Sequence, residues 1–302
     1  MMTKRRSDIA GFLLLLVFWV GAAEQMSGAD AQEQVTLKWL GTAGWEIQFG
    51  KTVILIDPFL TRKDWRSQAE WKTDEEAVLK VIKGADYIFA GHSHGDHIGD
   101  IPFIAKRFGS KVIGSRTTTN LALTAGVDKS RVVTISGGEN LITEQFSVRV
   151  IESRHGILSR LGRKGPPRTQ EILQPRNGPI TGADFVEGGC YLYYFTFGRH
   201  KVLHQSTGNF IEEKLKGLNP DVALLFPAHP YDLTSVLKTI NPKVIVLHHF
   251  DRHFDEQRAP FSRGIPEANV KRAQRFQRDV GSIDSQIKVI IPQILMTYTL
   301  EE

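Results

Sequence analysis

The run Gly91-His92-Ser93-His94-Gly95-Asp96-His97-Ile98-Gly99-Asp100 places three imidazoles and a carboxylate within six positions, directly after the apolar stretch Ala85-Asp86-Tyr87-Ile88-Phe89-Ala90. On an extended or tightly turning backbone, alternate side chains point the same way. His92 and His94 therefore face one position, and Asp96 and His97 can face a second a few ångströms away. Glycines at 91, 95 and 99 let the chain turn tightly enough for these side chains to converge. Imidazole nitrogens with a carboxylate oxygen suit zinc, and iron or manganese accept the same donors. The loop reads as a metal site needing further ligands from elsewhere in the chain.

Upstream, residues 35–59 read as three strands separated by glycine turns and ending in Asp57-Pro58. After them the pattern predicts helices near 74–83, 100–108 and 117–125, interleaved with strands at 86–90 and 111–114. Strands follow at 131–135 and 146–152. A hairpin over 189–204, a helix near 211–217, a strand at 222–226, a helix at 232–240 and a strand at 244–247 come next. A late helix over 266–280 and closing strands in 287–300 complete the order. Strands alternating with helices argue for an α/β architecture of helix-covered sheets rather than an all-β barrel.

The His-x-His-x-Asp-His loop at a strand end, with residues 35–59 before it, resembles the metallo-β-lactamase superfamily. The pattern is closest to the branch with ascorbate-6-phosphate lactonases and N-acyl phosphatidylethanolamine phospholipase D. The resemblance implies a four-layer αβ/βα sandwich, with two sheets face to face and helices outside. It also implies one or two Zn2+ ions held by His92, His94, Asp96 and His97 together with later ligands. His155 matches the third-motif histidine, following the strand 146–151 and preceding Gly156. The last ligand should follow the strand ending at Leu247, where His249-Phe250-Asp251 fits the relatives' frame better than one starting at His248. Asp57 stands where relatives place a carboxylate that supports the metal loop. His229 falls in a loop that relatives place near the pocket, as a candidate substrate contact.

One position departs from the pattern. Where most relatives carry an aspartate bridging two metals, this chain reads Gln205-Ser206-Thr207-Gly208. A neutral serine is a poor ligand, although the Ser206 hydroxyl could hydrogen-bond a metal-bound water.

The amino terminus has the three-part plan of a secretory signal: Lys4-Arg5-Arg6, an apolar run from 9 to 23, and Ala29-Asp30-Ala31. The expected organisation is a signal peptide over 1–31 and one hydrolase domain over 32–302, in the periplasm or outside the cell. A retained anchor is the alternative, but the apolar core is short for a span. The single cysteine, Cys190, cannot form an internal disulfide and sits in an apolar strand.

The formal charge is +5, and the leader contributes nothing net to it. Arg160 and Arg163 belong to a basic, Pro- and Gly-containing segment that begins at His155, as pocket walls and lids often do. They are candidates for holding a phosphate or carboxylate. The expected activity is attack by metal-bound hydroxide on an ester, lactone or phosphodiester-type substrate, small or lipid-like and anionic. Asp96 serves as a metal ligand or as the proton acceptor. A β-lactamase-type amide hydrolase is the alternative enzyme, and a metal- or anion-binding protein with a degenerate site is the alternative outside catalysis. Nucleic acid is not expected, because export and the lack of an added domain argue against it.

Overall fold

The computed structural model describes residues 34–156, 171–227, 232–251 and 264–300. The expected leader over 1–31 and the candidate residues Arg160, Arg163 and His229 lie outside these segments. The first half contains β1 (Val35–Gly41), β2 (Gly44–Phe49), β3 (Thr52–Ile56), α1 (Glu75–Val81), β4 (Tyr87–Phe89), α2 (Gly95–Ile98), α3 (Ile101–Phe108), β5 (Lys111–Gly114), α4 (Arg116–Thr124) and β6 (Val132–Thr134). The second contains β7 (Asn140–Ile142), β8 (Ser147–Glu152), β9 (Tyr191–Phe197), β10 (His200–Gln205), β11 (Val222–Leu225), α5 (Leu233–Ile240), β12 (Val244–Leu247), α6 (Glu267–Ile283), β13 (Lys288–Ile290) and β14 (Thr297–Thr299).

The strands form two seven-stranded sheets, in the orders β14-β1-β2-β3-β4-β5-β6 and β13-β12-β11-β10-β9-β8-β7. Each sheet is antiparallel on one side and parallel on the other. The change falls at β3 in the first sheet and at β10 in the second. Side-chain alternation explains the layers. Val35, Leu37 and Trp39 of β1, Ile54 and Ile56 of β3, Phe89 of β4 and Ile113 of β5 enter the core shared with the second sheet. Leu40, Leu55, Ile88 and Val112 enter a separate core, with Val78 of α1, Ile101 and Ile104 of α3 and Leu121 of α4. The second sheet is covered by α5 and α6 through Val236, Leu237, Ile240, Phe276 and Val280. The result is the expected four-layer αβ/βα sandwich.

Several elements differ from expectation. The metal loop contains a helical turn, α2, and the helix expected near 211–217 is a 3-10 turn over Glu212–Leu215. The closing strands separate: β13 pairs with β12 in the second sheet, and β14 crosses over to pair with β1 in the first. Among the described residues no helix is long and apolar enough to cross a membrane.

A buried ion pair joins the halves beside the strand ends. Asp251, just past β12, accepts the Thr42 N–H on both oxygens (3.0 and 3.1 Å) and pairs with Arg62 Nη2 at 2.7 Å. The segment after β3 is held a second time by Asp100, which accepts the Leu60 and Thr61 N–H groups at 2.6 and 2.8 Å and the Thr61 hydroxyl at 2.5 Å.

Replacing Arg62 with alanine leaves Asp251 buried without its cation, an imbalance that costs about 3–5 kcal/mol in buried pairs. Urea unfolding should show a lower midpoint with an unchanged slope. Burial pushes the Asp100 carboxyl up to about 6, against the lowering effect of its Thr61 and Leu60 donors. A folded-state pKa above the unfolded value gives stability that is full below about 4 and is lost as pH rises through about 6. Wild type should therefore lose stability relative to Asp100→Asn across that window. Parallel pH dependences for the two proteins would show that Asp100 does not titrate there.

Candidate metal centre

Five strand ends and the β1–β2 turn meet at one edge of the sandwich. Four non-glycine residues there adopt left-handed backbone: Thr42 (φ 47°), Asp57 (φ 47°), Arg62 (φ 54°) and His249 (φ 55°). Such conformations cost about 1–3 kcal/mol each and persist where surrounding contacts over-determine them.

The loop after β4 leaves the strand in extended form and caps α2 with His94, so Asp96 and His97 fall in the first turn of that helix. This splits the loop's donors into two sets. In the first, His92 Nε2 lies 3.0 Å from His94 Nδ1, and His155, delivered by the end of β8, closes a triangle of donors all within 4.8 Å. In the second, His97 Nε2 lies 3.2 Å from His249 Nε2, and Asp96 Oδ2 stands 3.9 Å from each. Two atoms bound tetrahedrally to one ion at about 2.0–2.1 Å stand about 3.3 Å apart, so both sets have the spacing of a metal chelate. The rings of His92 and His97 are 3.8 Å apart between centroids, which makes the sets contiguous.

Burial and nearby imidazoles favour the neutral form of His92 and His155. His92 is held well below its ordinary pKa by burial, then by the neighbouring His97, His94 and His155. Burial takes His155 down to about 4. His97 behaves differently: burial opposes its charge, but the Asp57 and Asp96 carboxylates outweigh burial and raise its pKa. Burial raises the Asp96 carboxyl.

Asp57 is fully buried and accepts the Gly91 N–H at 2.7 Å, while its second oxygen lies 2.9 Å from His97 Nδ1. A carboxylate there places the proton on Nδ1 and leaves Nε2 as the donor atom. The Ser206 hydroxyl donates to the same Asp57 oxygen at 2.6 Å, and lies 3.3 Å from both His92 Nδ1 and His97 Nδ1. Ser206 is thus on the Nδ1 side of both rings, away from their donor atoms. The hydroxyl, which the sequence left free to bond a metal-bound water, directs its hydrogen to Asp57.

The two histidines after β12 take different directions. His249 turns to the second donor set through its positive φ, with its N–H bonded to Thr42 O at 2.8 Å. His248 continues the strand and accepts the Trp45 indole N–H at 2.9 Å, fully buried and edge-on to His204. His248 therefore belongs to the core behind the site and not to either donor set. His204 donates from Nε2 to Ala43 O at 2.9 Å.

Other neighbours carried no signal in the sequence. Trp65 stacks on the His94 ring, with 5.2 Å between centroids and 19° between planes. Arg62 and Thr42 were equally unmarked. Asp251 was visible only through the His-aromatic-Asp frame that favoured His249. Half-buried His155 and His249 are the members of the two sets that reach toward solvent.

Residues 37–231 match the model of the metallo-beta-lactamase superfamily. The chain is 24% identical over 264 residues to a metal-dependent hydrolase of Methanopyrus kandleri, covering 84% of this chain and 95% of that one. It is 28% identical over 255 residues to a metal-dependent hydrolase of Polynucleobacter asymbioticus, covering 80% and 83% of the two. The solved structure of Igni18, a metallo hydrolase from Ignicoccus hospitalis, superposes with a TM-score of 0.60 at 20% identity, over 89% of this chain and 99% of that chain. The structural likeness is one of fold, and the matched segment contains His92, His94, Asp96, His97 and His155. The chain belongs to the metallo-β-lactamase superfamily.

Proposed function

We propose that the protein is an exported metal-dependent hydrolase acting on an ester, lactone or phosphodiester-type bond in a small or lipid-like anionic substrate. The observation that carries the hydrolase reading is the convergence of two three-residue donor sets, His92–His94–His155 and Asp96–His97–His249, at one edge of the sandwich. The names of the two relatives agree with it. Zinc is the metal assigned, on the preference of imidazole-rich sites. When bound, such an ion supplies Lewis acidity and lowers the pKa of water from about 15.7 toward 7.

The chain's own groups hold and shape this chemistry. His92, His94 and His155 would hold one ion, and Asp96, His97 and His249 the second. Asp57 keeps the His97 proton on Nδ1. With a single ion in the first set, Asp96 is the group placed to accept a proton, and its burial makes that carboxyl more basic than usual. His92 and His97 are sealed from solvent, so substrate approaches past His155 and His249.

Support for an anionic substrate is the formal charge of +5 and the arginines, Arg160 and Arg163 among them, between 154 and 176. Support for export is the amino-terminal pattern of basic, apolar and small-residue segments.

The test is metal content and turnover of purified full chain, after chelation and after zinc loading, with nitrophenyl esters and phosphodiesters as probes. We expect two equivalents of zinc and turnover that depends on it. Asp96→Ala should reduce turnover by about 10²–10⁴-fold while circular dichroism stays unchanged. Zinc uptake with no turnover on any probe would instead favour a metal-binding protein. His249→Ala should lower the stoichiometry from two to one, and His248→Ala should leave it at two. The reverse result would mean that His248, not His249, completes the second set.

A further inference from the structure

We propose that Ser206 and Asp57 form a hydrogen-bonded link coupling the two donor sets, with Ser206 a positioning residue for His92 and His97. The proposal rests on the reading that these sets hold metal ions. It begins from the inventory of one hydroxyl. Ser206 has a single proton, and Asp57 Oδ2, at 2.6 Å, takes it. The oxygen then has only lone pairs for its other neighbours, so His92 Nδ1, 3.3 Å away, approaches as a donor, and His97 Nδ1, also at 3.3 Å, shares its one proton between Ser206 and the nearer Asp57 oxygen. Donation from His92 fixes its proton on Nδ1 and leaves the lone pair on Nε2, the atom 3.0 Å from His94 Nδ1. His97 has Asp57 Oδ2 as a second acceptor at 2.9 Å. A continuous path results, from His92 through Ser206 and Asp57 to His97, joining one ligand of each set on the side away from the donor atoms.

The fold makes room for this hydroxyl. A side chain at position 91 would place its Cβ 2.0 Å from both Cβ and Oγ of Ser206, so Gly91 permits the approach. The Gly91 N–H, 2.7 Å from Asp57 Oδ1, then completes the carboxylate's donors. Alanine at 206 would leave Asp57 short of a donor and the His92 proton without an acceptor, both in buried surroundings. A carboxylate at 206 would have no proton to give to Asp57 Oδ2.

The test uses Co2+ as the probe, titrated into chelated full chain and followed by calorimetry and by the visible absorption of the bound ion. In Ser206→Ala we expect Co2+ affinity to fall about 10–100-fold at both sets, with altered visible bands. Ser206→Thr, which keeps the hydroxyl, should restore affinity and spectrum. Coupling is read from a double-mutant cycle. Removing the second set by His249→Ala should weaken Co2+ at the first set in the wild-type background and not in the Ser206→Ala background. Should Ser206→Ala fail to fold, Ser206→Gly, which lacks the hydroxyl and adds no metal ligand, must show the same direction. Unchanged affinity in Ser206→Ala, weakening confined to one set, or no rescue by threonine would each overturn the link. Wild type that takes up no Co2+ would overturn the metal-site reading itself, whereas two equivalents in wild type with an unaffected Ser206→Ala would overturn the link alone.

Discussion

A carboxylate removed from water has to find donors for both oxygens, and Asp57 finds them on separate segments: the Gly91 backbone, His97 in α2, and Ser206 after β10. Burying an unsatisfied carboxylate costs several kcal/mol, so each donor is held in place by the penalty for losing it. These segments come from both sheets: Asp57 and Ser206 follow β3 and β10, where antiparallel pairing gives way to parallel, and Gly91 and His97 follow the neighbouring β4. The site is thereby tied to the topology.

The ion pair of Arg62 with Asp251 performs the same task on the other side. Thr42, Arg62 and His249 stand in left-handed backbone there, a conformation non-glycine residues rarely adopt. Asp251 accepts from Thr42 and Arg62, while Thr42 O accepts from His249. Gly41 makes the arrangement feasible, because a Cβ there would fall 1.6 Å from Arg62 Nη2. The strained residues are thus mutually bonded, and the hydrogen bonds offset conformations that none would hold alone.

These dependencies explain which parts were legible in sequence. The metal loop was legible because four donors within six positions leave few other uses, and the strands because alternation and glycine turns repeat cleanly. His155 was reached through its place after a strand. The choice between His248 and His249 was not decidable from spacing, since it turns on one positive φ set by Thr42 and by the Trp45 bond to His248. Ser206 could be recognised as a departure but not oriented, because its partner Asp57 is 149 residues away. The crossing of β14 to the first sheet was hidden for the same reason: short apolar segments do not state their partners.

The core and the site are not separate structures. Trp39 stacks on Phe250 with 5.1 Å between centroids, and Trp45 bonds His248, so the residues flanking His249 are fixed by the inter-sheet core. Donors from the loop after β4 and from the ends of β8 and β12 come together only when the sheets pack. An unfolded chain offers the His92–His97 cluster by itself, without His155, His249 or the Asp57 acceptor. Metal affinity at these positions is therefore paid in folding free energy: whatever favours an ion at the assembled sets also favours the packed sandwich over the open chain, and loosening the sheets weakens both together.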